Sequence, residues 1–323
     1  MPLKKLFDGV YMLEGEVGGR PLQLIYLRGK VASLLLDTGC ASDPDKFIVP
    51  QIREAGGDPA QLDWILNSHP DVDHTGGNYN MKQYAKRALL ACGDADREAC
   101  ASGENLIRLR YEAYHADHQI FYEDKTWLNA ETSKPQPIDV TFVSGEHLRL
   151  SDDWVVEILS VPGHAKGHLA IWDQKNEALY GGDAIHGSVY LGLDGTPKLC
   201  PTYLFVDDYL NTIRLIERLP ITTYVGCHWP VKRGDEIADF CKESRHFVER
   251  ADVLLIELLK EPHSLRDICL KLGPQLGDWP HTPALDLELV FALNGHVTRL
   301  VELGLLDIRV QQEDPRRLEY VFS

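Results

Sequence analysis

Residues 62–77 read LDWILNSHPDVDHTGG. An apolar run of strand length leads into a loop carrying His69, Asp71, Asp73 and His74. On an extended loop alternate side chains point the same way, so His69, Asp71 and Asp73 are expected to converge while His74 turns to a neighbouring point. Imidazole and carboxylate together suit Zn, Fe or Mn. Gly76 and Gly77 are expected to let the backbone turn sharply beneath such a site.

Working outward, three more elements carry the same signature of an apolar strand followed by a Gly-containing turn and a ligand-type residue. His164 stands in VPGHAKGH (161–168), Asp183 in LYGGDAIHG (179–187) and His228 in YVGCHWP (224–230). One such histidine alone is more commonly a hydrogen-bonded structural residue. Their order, with the dense cluster first, reverses that judgement. His168, four residues after His164, is read as supporting a ligand; His186 is read as a substrate contact or the cap of a turn, and Trp229 as lining an apolar substrate pocket or as core packing. Cys40 and Cys227 are read as small buried residues, not as ligands or nucleophiles.

The surrounding pattern is layered α/β. Residues 8–38 read as short antiparallel strands ending in the doubly buried run ASLLLD, and residues 45–57 as a helix closed by Gly56 and Gly57. Strands follow in DVTFV, EHLRL, VVEILSV, LAIWD and EALYGGD, then a helix at about 206–219 and the strand ITTYVGCH. Residues 93–140 interrupt this pattern with Tyr111, Tyr114, His115, His118, Phe121, Tyr122 and Trp127. They are read as an insertion near the site acting as a lid, or as a helical excursion packed on the sheet. After about 245 the pattern becomes three helices and a hairpin around QEDPRR, a winged-helix-like α+β module. The expected division is a catalytic domain at 1–245 and this module at 246–323.

This order of motifs resembles the metallo-β-lactamase superfamily over roughly residues 20–230: Asp37 in LLLDTG, the HPDVDH cluster, PGH, GD and a late His. The resemblance implies an αββα sandwich and a hydrolytic metal centre. It implies that His69, the residue at 71 and His164 hold one metal, that Asp73, His74 and His228 hold a second, and that Asp183 bridges them. Asp37 would buttress the site. The whole chain resembles those members with a C-terminal winged-helix-like module.

Asp71 departs from the pattern, which has His there. Three readings are open: a two-metal zinc site with Asp71 as ligand; a single metal on Asp73, His74, Asp183 and His228; or iron. The flavin-linked diiron branch uses a carboxylate at this position, and the persulfide-oxidising branch uses two His and an Asp, as His69, His164 and Asp183 could supply. Zinc hydrolysis is placed ahead of iron chemistry. Asp71 is expected to coordinate with His69 and His164, because ionised beside Asp73 and Asp183 without a cation it would meet strong like-charge repulsion.

A chain of 323 residues with 33 basic against 49 acidic residues, net −16, is a poor match for phosphate backbones or anionic membranes. Residues 251–323 hold 7 Lys and Arg against 12 Asp and Glu, a net of −5, so DNA or RNA binding and nuclease action are disfavoured. That module is expected to close one side of the pocket or to pair two copies in a homodimer. Neither a signal peptide nor a membrane span is read, and a cytoplasmic location is expected. With no phosphate-cradling loop and no G-x-S-x-G motif, a serine nucleophile has no support. The expected activity is hydrolysis of a small ester, lactone, thioester or related molecule by metal-activated water, with one or two Zn²⁺ ions and Asp73 orienting the nucleophile or moving its proton. Iron-dependent oxidation and hydrolytic dehalogenation are the alternatives, with β-lactam cleavage behind them.

Overall fold

The computed structural model describes residues 3–114, 116–118 and 122–323, and of residues 122–124 the backbone alone. His115, Phe121 and the Tyr122 side chain, expected in the insertion, therefore lie outside the described residues. Two mixed sheets face each other. The first runs β1 (Lys4–Phe7), β2 (Val10–Val17), β3 (Arg20–Arg28), β4 (Ser33–Leu36), β5 (Trp64–Leu66), β6 (Leu89–Gly93) and β7 (Val140–Phe142), neighbours in space as in sequence. Its first four strands are antiparallel hairpins. From β4 onward the strands are parallel, with Leu34 opposite Trp64 and Leu66 opposite Ala91. Parallel pairing needs crossovers, and these are the helical segments between the strands.

The second sheet contains β8 (Glu146–Ser151), β9 (Trp154–Ser160), β10 (Leu169–Asp173) and β11 (Ala178–Gly182). A small separate hairpin, β12 (Tyr190–Leu191) and β13 (Pro197–Leu199), comes next, and then β14 (Thr223–Gly226) and β15 (Lys232–Arg233), which rejoin the second sheet. The spatial order is β15-β14-β11-β10-β9-β8, with β11 and β14 parallel.

The period-2 alternation of β3 sorts its side chains between two cores. Ile25 and Leu27 face the second sheet and meet Val156, Ile158 and Ile171. Leu22, Leu24 and Tyr26 face the opposite way and pack on Ile48, Ile52 and Met81 of the crossovers. On the far side of the second sheet, Leu179 and Tyr224 pack on the helices Val206–Arg218 and Asp235–Leu258. The result is helix, sheet, sheet, helix.

The insertion after β6 packs directly on the metal-loop segment: Ala99, Leu106, Ile107 and Leu128 form one apolar cluster with Val72. Its far side is tied to the C-terminal part, where Arg266 N–H donates to Asp117 at 3.2 Å and Arg317 Nε to the Ala116 carbonyl at 2.9 Å.

The C-terminal part comprises helices Leu265–Leu276, Pro283–Leu287 and Val290–Glu302 and a three-stranded sheet. In that sheet β16 (His263–Ser264) and β17 (Leu306–Val310) flank β18 (Leu318–Phe322). Ser264 caps its helix reciprocally with Asp267. Residue 245, the expected boundary, falls inside the continuous helix Asp235–Leu258. The apolar cluster beneath that helix runs from Leu179 of β11 to Leu306 of β17.

Candidate metal centre

The centre forms where the parallel strands end. Asp37 comes directly after β4 in a left-handed conformation, φ 67°. Its carboxylate accepts the Ser68 N–H at 2.7 Å and hydroxyl at 2.8 Å, and lies 2.9 Å from His74 Nδ1. The loop after β5 is not extended as expected. Past Pro70 it winds into a helical turn, Val72–Thr75, with Asp71 at its start. Alternation therefore does not set the directions of these side chains; the turn does. Gly76 and Gly77 are also helical, so their role is proximity and not a left-handed bend. A Cβ on Gly76 would lie 2.2 Å from the Glu131 carbonyl oxygen, and one on Gly77 the same distance from that of Thr38.

One half of the centre gathers His74, Asp183, Cys227 and His228, whose ligand atoms all lie within 4.8 Å of one another. His74 Nε2 is 3.9 Å from Asp183 Oδ1, and His228 Nε2 is 3.5 Å from Asp183 Oδ2. Asp73 Oδ2 stands beside them, 3.2 Å from His228 Nε2 and 3.8 Å from His74 Nε2. The imidazoles are aimed from behind: His228 Nδ1 lies 2.7 Å from the Pro21 carbonyl oxygen, as His74 Nδ1 lies against Asp37. Each then carries its proton on Nδ1 and turns Nε2 inward. Cys227, expected to be no more than small and buried, stands beside His228 and brings its sulfur into the group.

The other half holds His69 and His164, which form a second group with Asp183. Asp183 is thus common to both, placed by Gly182, whose φ of 54° swings the chain off β11. His164 Nδ1 is 3.1 Å from the Thr202 carbonyl. Its Nε2 is 3.0 Å from Asp71 Oδ2, and His69 Nε2 is 3.6 Å from the same oxygen. Asp71 is in neither group of converging ligand atoms. Arg110, from the insertion, pairs with it side-on: Nε faces Oδ1, and NH2 donates to Oδ2 at 2.8 Å. An ionised Asp71 therefore needs no metal to offset its charge, because this guanidinium does so.

Charge follows from these contacts. Burial pushes the His69 imidazole well below its usual range, aided by the neighbouring histidines, so it is neutral and suited to ligation. Burial opposes charge on His74 and His228 too, but Asp37 acting on one and Asp183 on the other, with Cys227 and Asp73 beside both, hold them well above it. Burial alone would raise Asp71, yet Arg110, His164 and His69 hold its carboxyl well below the carboxylate range. The site thus attracts positive charge.

His69 Nε2, His74 Nε2 and Asp183 Oδ1 are buried without a hydrogen-bond partner. Each such atom costs about 1–3 kcal/mol when left unsatisfied. His74 Nε2 and Asp183 Oδ1 converge with the Cys227 thiol and the His228 imidazole, and His69 Nε2 converges with His164 and Asp183. Such donors fit a cation of the Zn or Fe type.

Of the remaining expected residues, His168 is buried with its ring 4.7 Å from that of His69, behind the ligands. His186 and Trp229 do not line the cleft over the centre. His186 is buried among Tyr190, Tyr203, Tyr209 and Trp229, and Trp229 donates Nε1–H to the Val189 carbonyl within the core. That cleft, about 560 Å³, opens over Asp71, Asp73, Asp183 and His228. Tyr111, Trp127 and Leu128 of the insertion form one wall, and Leu285 and Phe291 of the C-terminal part another.

Residues 20–228 match the metallo-beta-lactamase superfamily, and the chain belongs to that family. Among curated relatives it is 26% identical to an acyl-coenzyme A thioesterase of Homo sapiens, over 66% of this chain and 75% of that one. It is 25% identical to a hydroxyacylglutathione hydrolase of Synechococcus sp., over 64% of this chain and 66% of that one. A metallo-beta-lactamase family protein of Thermus thermophilus shares the fold over 99% of this chain and 100% of its own, with TM-score 0.75 and 20% identity. A beta-lactamase domain protein of Burkholderia ambifaria does so over 100% and 95%, with TM-score 0.74 and 16% identity.

Proposed function

We propose that the chain is a metal-dependent hydrolase of thioesters. The observation that carries this reading is the set of buried, unpartnered ligand atoms around Asp183 on the floor of the cleft. The names of both curated relatives point to acyl groups carried on a thiol, coenzyme A or glutathione. His74, Asp183, Cys227 and His228 would hold the ion, with Asp73 adjoining. A Zn²⁺ ion held by these residues would supply Lewis acidity toward the acyl carbonyl and the attacking water.

The protein's own groups do the rest. Asp37 and the Thr202 and Pro21 carbonyls fix three imidazoles so that no reorientation is needed during reaction. Asp73, on the cleft surface, accepts a proton from the attacking water and passes it to the leaving thiolate. Tyr190 donates its hydroxyl to Asp183 Oδ2 at 3.1 Å and holds that carboxylate in place. Tyr111, Leu128 and Phe291 give the acyl group an apolar wall and exclude bulk water. Arg20, also on the cleft, stacks over Tyr190 at 5.4 Å and forms no ion pair among the described residues. It offers a partner to a carboxylate or phosphate of the acyl carrier.

The C-terminal part, read as winged-helix-like, serves here as a wall of the cleft. No helix is long and apolar enough to cross a membrane among the described residues. The test is a panel of acyl-coenzyme A, acylglutathione, lactone and simple ester substrates, assayed after chelation and after return of Zn²⁺, Mn²⁺ or Fe²⁺. Thioester turnover restored by Zn²⁺ or Mn²⁺ supports the reading; no thioester turnover with any metal sinks it. The His69, His164 and Asp183 group also suits an iron oxygenase, and oxygen consumption with the Fe²⁺ form would favour that instead.

A further inference from the structure

The two halves of the centre are not equally ready for a metal. In the half with His74, Asp183 Oδ1 and His74 Nε2 have no hydrogen-bond partner. In the half with His164, His69 Nε2 is likewise unpartnered, but Asp71 and His164 are both engaged. The Asp71 carboxylate is engaged side-on by Arg110. His164 Nε2 lies 3.0 Å from Asp71 Oδ2 and 2.9 Å from Arg110 NH2, so the nitrogen that would face an ion is already held by that pair. Arg110 NH1 also donates to the His164 carbonyl at 3.0 Å, which fixes the guanidinium from a second direction. Arg110 is buried and makes no ion pair other than that with Asp71 among the described residues.

We propose that Arg110 is a built-in cation standing in for a metal ion between Asp71 and His164, so that the chain binds one ion, in the half made by His74, Asp183, Cys227 and His228. The charge count agrees. Asp71 contributes one negative charge and the guanidinium one positive, whereas a dication placed beside a permanently charged arginine would meet repulsion scaling as the inverse of their separation. It also accounts for the carboxylate at position 71, since a side-on guanidinium pairs with a carboxylate and not with an imidazole.

The inference rests on the reading of the site as a metal centre, and stoichiometry separates the two. The protein is saturated with Zn²⁺ or Mn²⁺, desalted, and its metal measured per chain by mass spectrometry. One equivalent is expected for the wild type and two for Arg110→Met, which frees Asp71 and His164. Titration of the wild type with Co²⁺ gives a readout independent of the variant's folding. The cobalt d–d absorption, which reports ions in either half, should saturate at one equivalent together with the thiolate-to-cobalt charge-transfer band from Cys227. Two equivalents in the wild type by either method, or one in a folded Arg110→Met, would overturn the inference. Zero in the wild type would overturn the metal reading itself.

Discussion

Asp37 Oδ2 lies 2.9 Å from His74 Nδ1, and this contact fixes which nitrogen of His74 faces the centre. Asp37 adopts φ 67°, a left-handed conformation that Asn also tolerates. Asp37→Asn should therefore leave the backbone intact and keep an acceptor for the Ser68 N–H. Its amide would face Nδ1–H donor to donor, so the imidazole would move its proton to Nε2 and lose its inward lone pair. We expect metal affinity to fall roughly 10–100-fold with little change in melting temperature of the metal-free protein. Competition with a chelator measures the first and calorimetry the second; unchanged affinity would refute the assignment.

Removing the metal should cost stability as well as activity. Whatever binds the folded state alone stabilises it by RT ln(1 + [L]/Kd), about 4 kcal/mol at a thousandfold excess over Kd. Chelated protein should melt at a lower temperature than protein in excess Zn²⁺, and His228→Ala should shrink the gap. Equal melting temperatures with and without metal would argue against a bound ion.

Arg20 should govern affinity and leave the chemical step nearly unchanged. Arg20→Met is expected to raise KM for carriers with phosphate or carboxylate groups about tenfold or more, the cost of one charged hydrogen bond, with kcat within about twofold. A neutral thioester should show no change. Equal losses for charged and neutral carriers would contradict the role.

Asp43 gives a pH signature away from the centre. Burial pushes its carboxyl up to about 6 from 3.8, although it accepts the Cys40 N–H. The folded state thus holds the proton more tightly than the unfolded chain. Its favourable contribution is full below about pH 4 and is lost as pH rises through about 6. Asp43→Asn keeps the acceptor and removes the charge, so at pH 7 the variant should be more stable by on the order of 2 kcal/mol. The advantage should vanish near pH 4. Denaturant titrations at the two pH values decide it; a variant less stable at pH 7 would show the sign to be wrong.

The strand-to-loop motif was legible because a buried parallel strand reads as an unbroken apolar run, and the loop leaving it must sit at the sheet's edge. That logic located His69, His74, His164, Asp183 and His228 together. It failed where direction depends on the turn after the strand. His186 lies three residues after Asp183 and Trp229 one after His228, yet both point into the core beneath the helix Val206–Arg218. The same adjacency hid Cys227, which local pattern cannot separate from a packing residue. Arg110 left no signal at all. In ENLIRLRYEAYHADH it looks the same as Arg108, which is exposed and pairs with Glu98. Only the fold of the insertion brings one of them to Asp71, 39 residues away in sequence.

The helix Asp235–Leu258 crosses the place where the sequence pattern predicts two domains to part, and one apolar cluster continues on both sides of it. Heat should therefore find no seam. Differential scanning calorimetry is expected to give a single endotherm whose van't Hoff and calorimetric enthalpies agree, and a chain ended at residue 245 should fail to reach the native state. Two resolved endotherms would show independent melting. Because the same C-terminal part lends Leu285 and Phe291 to the cleft wall, loosening it by a distant core substitution such as Leu272→Ala should be felt first as altered selectivity among acyl chains.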